Sequence, residues 1–453
     1  MALLRVLAVA VIAAAAAILP AGADADAPWS ASAPVAGVAS TTTLLTTQIG
    51  GKILVGASSS RSLASPTVVA RVQDDGSTAR RQTLEIAYAK AATFRRAGVV
   101  VAGSRPALTS EATAKAPVVV ALGSVRGIHG VGTPRPLPGS GGQWVSAVAG
   151  NPASGTVAIV TASMFGGGPP TRTVWLYRGG TFHRALTFRP ETNARDAAVA
   201  VGAHGDVVVA WQGRGAIFAR HFGPTGRAGA RHRLGAGVQS ALQARIDDDG
   251  RLEVAWESQR VAEGFAATPA TVSYTSAAPG GGFAPARIVG GSSLTGTGRY
   301  VMRPGVRLVG TRPNASLLAW TDYNGTRFRV RVADVTAGAV GAPQTVSAAD
   351  GDAALGDVAS SPAGGQLVLW LTGTHGADRS GPQRVAAAVR APGAAAFGAP
   401  ELVSEPVGAP GPAADATSVP VAPSAAADSR VGRGFAAWTT LDQHTHVAVR
   451  PVG

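Results

Sequence analysis

No cysteine occurs anywhere in the 453 residues. That excludes disulfide staples, thiolate metal sites, a cysteine nucleophile and a lipid-modified cysteine behind an export signal. Aromatics reach only 5% and charged residues 15%, against 46% hydrophobic residues, so apolar material for a large core is ample while large flat side chains are scarce. Lysine occurs only at positions 52, 90 and 115, which leaves arginine as almost the whole of the positive charge. Helical periodicity is missing as well, and 59 glycines with 30 prolines would break long helices. Beyond the N-terminus there is no second long apolar run, so no membrane-spanning segment is expected in the processed chain. G-x-S-x-G, P-loop and H-E-x-x-H patterns are all absent, which removes the sequence basis for a serine hydrolase, a nucleotidase or a zincin.

The N-terminus itself reads as an export signal. Arg5 supplies the positive charge, Val6 to Leu19 the apolar run, and Ala21-Gly22-Ala23 a small-residue cleavage site before Asp24. The expectation is a signal peptide over residues 1–23 and a secreted or extracytoplasmic domain over 24–453.

What the chain does contain is a repeat. "GDVVVAW" (205–211) returns as "GRLEVAW" (250–256), and its pattern recurs as strands ending at Trp320, Trp370 and Trp438. A diverged copy ends at Thr161, and fainter ones begin near residues 50 and 97. Each unit runs from a small-apolar segment through a turn to the Trp-ended strand, then to a third strand and an A-P-x-x-apolar segment such as "APARIV" (284–289) or "APELVS" (399–404). A period of about 50 residues built from four short strands predicts an all-β protein, a β-propeller of four-stranded antiparallel blades. Eight blades fit best, with seven as the alternative. The last unit stops without an outer strand, while "SAPVAGVAS" near the mature N-terminus resembles one, so an N-terminal strand is expected to close the ring. The repeated tryptophans are read as packing between blades. The arginines recurring on third strands (Arg71, Arg178, Arg220, Arg390, Arg450) are read as stacking on those tryptophans.

Chemistry is harder to find. None of the five tyrosines makes an obvious pair with a nearby glutamate, and only "LLAWTDYNG" (317–325) sets Asp322 beside Tyr323 in a turn. "DDDG" (247–250) and "QDDGS" (73–77) read as tight turns rather than calcium loops. His444 and His446 alternate on one strand, but no third ligand is nominated. No catalytic residue, metal or cofactor is therefore assigned. Two longer insertions fall between Trp256 and Trp320 and between Trp370 and Trp438, and insertions between blade strands go to the ring faces. Arg299, Tyr300 and Arg303, in the first of these, are the binding candidates.

By its G-x-x-x-x-A-W strands and A-P-x-x-V-S outer strands the chain resembles secreted actinobacterial β-propeller proteins, distantly similar to sialidase-like (Asp-box) and TolB-like propellers. "SPAGGQLVLW" (361–370) is similar to the TolB-type turn, with Ala363 where that family commonly has Asp, and the S-x-D-x-G-x-T-W turn of the Asp-box class is missing from every blade. A propeller scaffold carries many activities, so none transfers from the fold. The reading is a non-catalytic binding scaffold for an extracellular partner, with a sialidase-like glycoside hydrolase or lyase as the alternative. The formal charge of +14 makes an anionic glycan or cell-wall polymer, or a protein, the expected partner. Nucleic acid and stable membrane insertion are not expected, and the chain is expected to be a monomer.

Overall fold

A computed structural model describes residues 28–58, 65–106, 116–125, 130–163, 170–190, 197–236, 238–259, 270–292, 305–324, 326–373, 384–404, 424–428, 432–440 and 444–452. They form eight antiparallel sheets, each of four strands with one short extra strand in the sixth. Blades 1 to 7 span residues 40–84, 87–136, 143–188, 197–236, 238–292, 306–345 and 352–402. Blade 8 combines residues 424–451 with Ala33–Val35. Every blade is a meander, so chain order from first to third strand is also spatial order from the centre outward.

The innermost strands touch their neighbours in sequence, and the innermost strand of blade 8 touches that of blade 1, so the ring is closed around a central channel. Ala33, Pro34 and Val35 pair antiparallel with Val447, His446 and Thr445, and this N-terminal strand supplies the outer strand of blade 8. Ser30 adds its backbone N–H to the carbonyl of Val449 at 2.8 Å. The chain's two ends thus hold one sheet together, and no open third-strand edge remains.

The apolar core is not one mass but eight wedges. Each buried cluster draws its members from two adjacent blades, and the eight clusters together cover all eight blade interfaces. Alternation along each strand makes this possible: one set of side chains faces the preceding blade and the other the following one. Trp211, Trp256, Trp320, Trp370 and Trp438 each sit on a second strand and bury the indole against the preceding blade. Trp320 is fully buried. Its room is made by Gly290 on the outer strand of blade 5, where an added Cβ would stand 2.3 Å from the indole nitrogen. Gly235 does the same for Trp256, with 2.8 Å available. The repeated tryptophan is therefore a packing residue.

Candidate functional site

A meander of four strands sends its connections alternately to the two faces of the ring. Turns between first and second strands, and between third and outer strands, leave at one face. Connections between second and third strands, and from one blade to the next, leave at the other. The first-to-second-strand turns are tight and hold glycines at positive φ, such as Gly205 (82°), Gly250 (83°) and Gly364 (96°). "DDDG" is such a turn: the Asp247 Oδ1 accepts the backbone N–H groups of Asp249 at 3.1 Å and Arg251 at 2.7 Å. Burial raises the Asp247 carboxyl above the usual carboxylate range. The long connections, from Gln259 to Ala270, Ser292 to Val306, Gly373 to Arg384 and Leu402 to Ser424, all leave at the opposite face. Arg299, Tyr300 and Arg303 lie in the second of these, outside the described residues.

At that face the channel mouth carries a polar collar assembled from five blades. Leu242, Val306 and Leu355 on inner strands pair with Trp256, Trp320 and Trp370. One pair further along stand Gln243, Arg307 and Asp357, opposite the residue before each tryptophan. Ser424 in blade 8 occupies the same level, opposite Ala437, as does Lys90 in blade 2, opposite Ala102. In blade 4 the position is taken by Ala198, which pairs with Ala210.

The collar is hydrogen-bonded along half its circumference. Arg307 Nε donates to Asp357 Oδ1 at 3.1 Å, and Asp357 Oδ2 accepts the N–H of Ala425 at 3.0 Å and the hydroxyl of Ser424 at 3.3 Å. The same hydroxyl accepts the N–H of Leu44 at 2.9 Å, so the chain of bonds runs through blades 6, 7, 8 and 1, across the closure of the ring. A bulge between Leu355 and Asp357 turns the aspartate to this level. On the blade 2 side Lys90 is exposed, and Tyr88, two residues nearer the face, is 45% exposed with φ at 53°. A tyrosine held in left-handed backbone at a bulge costs on the order of 1 kcal/mol, and such strain is concentrated at functional positions. No motif links these residues in the sequence; register alone brings them together, and reading it would have required knowing where the bulges fall.

The collar can hold a polar or anionic group. Among the described residues, the inner strands carry Asp352, Asp357 and Asp428 as their carboxylates. Asp357 is fully engaged as above. Asp352 Oδ1 accepts the N–H of Phe328 at 2.7 Å on the third strand of blade 6, away from the channel. Asp352 and Asp357 thus turn to separate partners rather than flanking one bond, the arrangement usual for glycoside hydrolysis.

Other charged groups turn out to be mortar between blades. Contrary to the sequence expectation, one tyrosine does pair with a glutamate: the Tyr274 hydroxyl donates to Glu253 Oε1 at 2.8 Å. Arg245 and Ser316 hold Oε2 of the same carboxylate at 2.7 and 2.5 Å. Glu253 and Tyr274 are each 2% exposed, between blades 5 and 6, so the pair is shut away from substrate. Burial, then the adjacent Glu253 carboxylate, pushes the Tyr274 hydroxyl pKa well up. Asp322 lies at the end of a strand rather than in a turn, accepting from Arg331 at 3.0 Å and from the N–H of Gly291 at 3.1 Å. Two of the five third-strand arginines, Arg390 and Arg450, also depart from expectation. Arg390 forks onto Asp334 of blade 6 (2.8 Å for one arm) and stacks over Phe397, and Arg450 pairs with Glu401 of blade 7. These two guanidinium groups bridge blades through carboxylates, which a planar fork suits better than an indole face. His446 stacks on Trp438 with centroids 5.8 Å apart, and among the described residues no group of three or more metal-ligating side chains is gathered.

No protein-family model matches the chain, and no curated protein matches it. Solved structures match it at great distance. A structural study of two prolyl endopeptidases gives a match at 13% identity and TM-score 0.41, covering 74% of this chain and 45% of that one. This chain thus spans less than half the length of that protein. An ulvan lyase of polysaccharide lyase family PL25 matches at 9% identity and TM-score 0.44, over 79% of this chain and 93% of the lyase. A Hadza microbial sialidase matches at 11% identity and TM-score 0.36, over 85% and 73%. The sheets themselves make the chain an eight-bladed β-propeller, and sialidases are among its distant structural neighbours.

Proposed function

We propose that the chain is an exported, non-catalytic binding propeller that holds an anionic partner of the cell envelope, a glycan or wall polymer, against the channel mouth on its long-connection face. The observation that carries this reading is the collar: Lys90, Tyr88 and Gln243 face a mouth where, among the described residues at that level, the carboxylate is Asp357, already engaged by Arg307, Ser424 and Ala425. Exposed Lys90 and Tyr88 set a cation and a phenol hydroxyl before an acceptor-rich ligand. The basic balance of the chain adds long-range attraction to any polyanion.

The test incubates residues 24–453 with isolated bacterial wall polymers through a salt series, measuring protein carried down with the polymer and new chain ends released from it. Retention that fades with salt, without release of new ends, is the expected result. New ends accumulating in proportion to protein would replace the binding reading with a hydrolase or lyase. Absence of retention at every salt concentration would remove the polymer as the partner.

A further inference from the structure

Far from the channel mouth, where third-to-outer-strand connections leave the ring, blades 1 and 2 enclose a cleft of about 210 Å³. Its floor is aliphatic: Ile53, Val69, Val125 and Val131, none more than 7% exposed. Its rim is three arginines, Arg71, Arg80 and Arg81. Arg81 is spoken for in part, donating to the carbonyl of Ala36 at 2.6 Å. Arg71 and Arg80 are exposed, and among the described residues neither has a carboxylate partner. Both also line an adjoining hollow of about 270 Å³, whose Lys52 and Asp74 are bound to each other. The two guanidinium groups thus stand between two depressions.

The backbone has been bent to put Arg80 there. Ala70 pairs with Arg81 and Arg71 with Ala79, so Arg80 is the extra residue of a bulge, and its φ is 50°. Bulges recur between third and outer strands in blades 3, 4 and 5, where the extra residues Ala185, Leu234 and Val289 pack into the neighbouring interface. Only in blade 1 among these is the extra residue a solvent-facing cation in left-handed backbone, a position that favours glycine. The opposite wall is fixed rather than loose. Gln82 Nε2 donates to the carbonyl of Val131 at 2.5 Å and its Oε1 accepts the Val131 N–H at 3.0 Å, which ties blade 2 to blade 1.

From this geometry we infer a second ligand site, distinct from the channel mouth, for an amphipathic anion: a carboxylate or sulfate head on an aliphatic body. Arg71 and Arg80 receive the head in charge-assisted hydrogen bonds, and the aliphatic floor receives the body. A sugar ring fits the chemistry less well. Its hydroxyls need acceptors, no carboxylate lines the cleft, and the one side-chain amide is already tied to Val131 through both its nitrogen and its oxygen.

Calorimetric titration of residues 24–453 with octanoate, octyl sulfate, inorganic sulfate and glucuronate tests the inference, using wild type, Arg71→Gln, Arg80→Gln and Lys90→Gln. Octanoate and octyl sulfate are expected to bind, to weaken about tenfold or more on loss of either Arg71 or Arg80, and to ignore Lys90→Gln. Arg80→Gly supplies a further arm: relief of the left-handed strain raises Tm while binding is lost. Octanoate binding unchanged in both arginine variants would overturn the site. Inorganic sulfate binding as tightly as octyl sulfate would overturn the aliphatic part, and glucuronate binding more tightly than octanoate would reassign the cleft to acidic sugars. None of these results touches the channel-mouth reading, which is tested at Lys90.

Discussion

The interface between blades 5 and 6 and that between blades 1 and 2 solve the same problem in different ways. Blades radiate from an axis, so the gap between neighbours widens outward and must be filled. Between blades 5 and 6, fully buried Trp320 reaches the outer strand of blade 5, and the ionic knot of Arg245, Glu253, Tyr274 and Ser316 occupies part of the remaining interface. Between blades 1 and 2 the second strands end without tryptophan, and Ile53, Val55, Val99, Val101 and Val119 form the wedge. Aliphatic side chains seal the inner part, and the outer part stays open as the arginine-rimmed cleft. At the blade 5–6 interface tryptophan fills outward space, and at the blade 1–2 interface, which has none, the outer part is a cleft.

The largest effect expected from breaking this contrast is at Trp320. Trp320→Ala should cost about 3–5 kcal/mol in urea unfolding, the range for deleting a fully buried large aromatic. Val101→Ala, across the ring and fully buried as well, should cost only about 2 kcal/mol for two lost methyl groups and a small cavity. Equal losses would mean that the two interfaces are not filled differently. Gly290→Ala comes next, at about 1–3 kcal/mol, because the new Cβ has nowhere to go beside the indole; the same change in a Trp320→Ala background should be milder, and a strictly additive pair would refute the contact.

Alkali probes the ionic knot. Tyr274 has its hydroxyl pKa raised in the fold, so the unfolded chain loses that proton first, and the stability present below about pH 10 should decline as pH climbs beyond it. Spectrophotometric titration should find this tyrosine silent until the protein unfolds; its ionisation in the folded state near pH 10 would contradict the buried pair. The smallest effect, with the opposite sign, belongs to the open interface, where Arg80→Gly should stabilise by about 1 kcal/mol.

Much of the architecture was legible because it is periodic. The tryptophan-ended strands and A-P outer segments mark the blades, and the eight-blade reading holds although blades 1 and 2 carry no tryptophan on their second strands. The same periodicity shows why the tryptophans are packing residues. The site was not legible, because Lys90, Gln243, Arg307, Asp357 and Ser424 share a level only through strand register, and bulges at Lys90 and Asp357 shift that register locally. Arg390 and Arg450 were misread for a related reason: their partners Asp334 and Glu401 lie in the preceding blade, 56 and 49 residues away, beyond any local pattern. Glu253 and Tyr274 are 21 residues apart and meet across neighbouring strands.

The central claim is that the channel mouth grips an anionic polymer through its cationic side. The most direct measurement is the binding isotherm of wall polymer to wild type and Lys90→Glu at several salt concentrations. The account predicts weaker binding by the variant at low salt, a shallower dependence on salt, and convergence of the two proteins as screening grows. Superimposable isotherms at every salt concentration would contradict it.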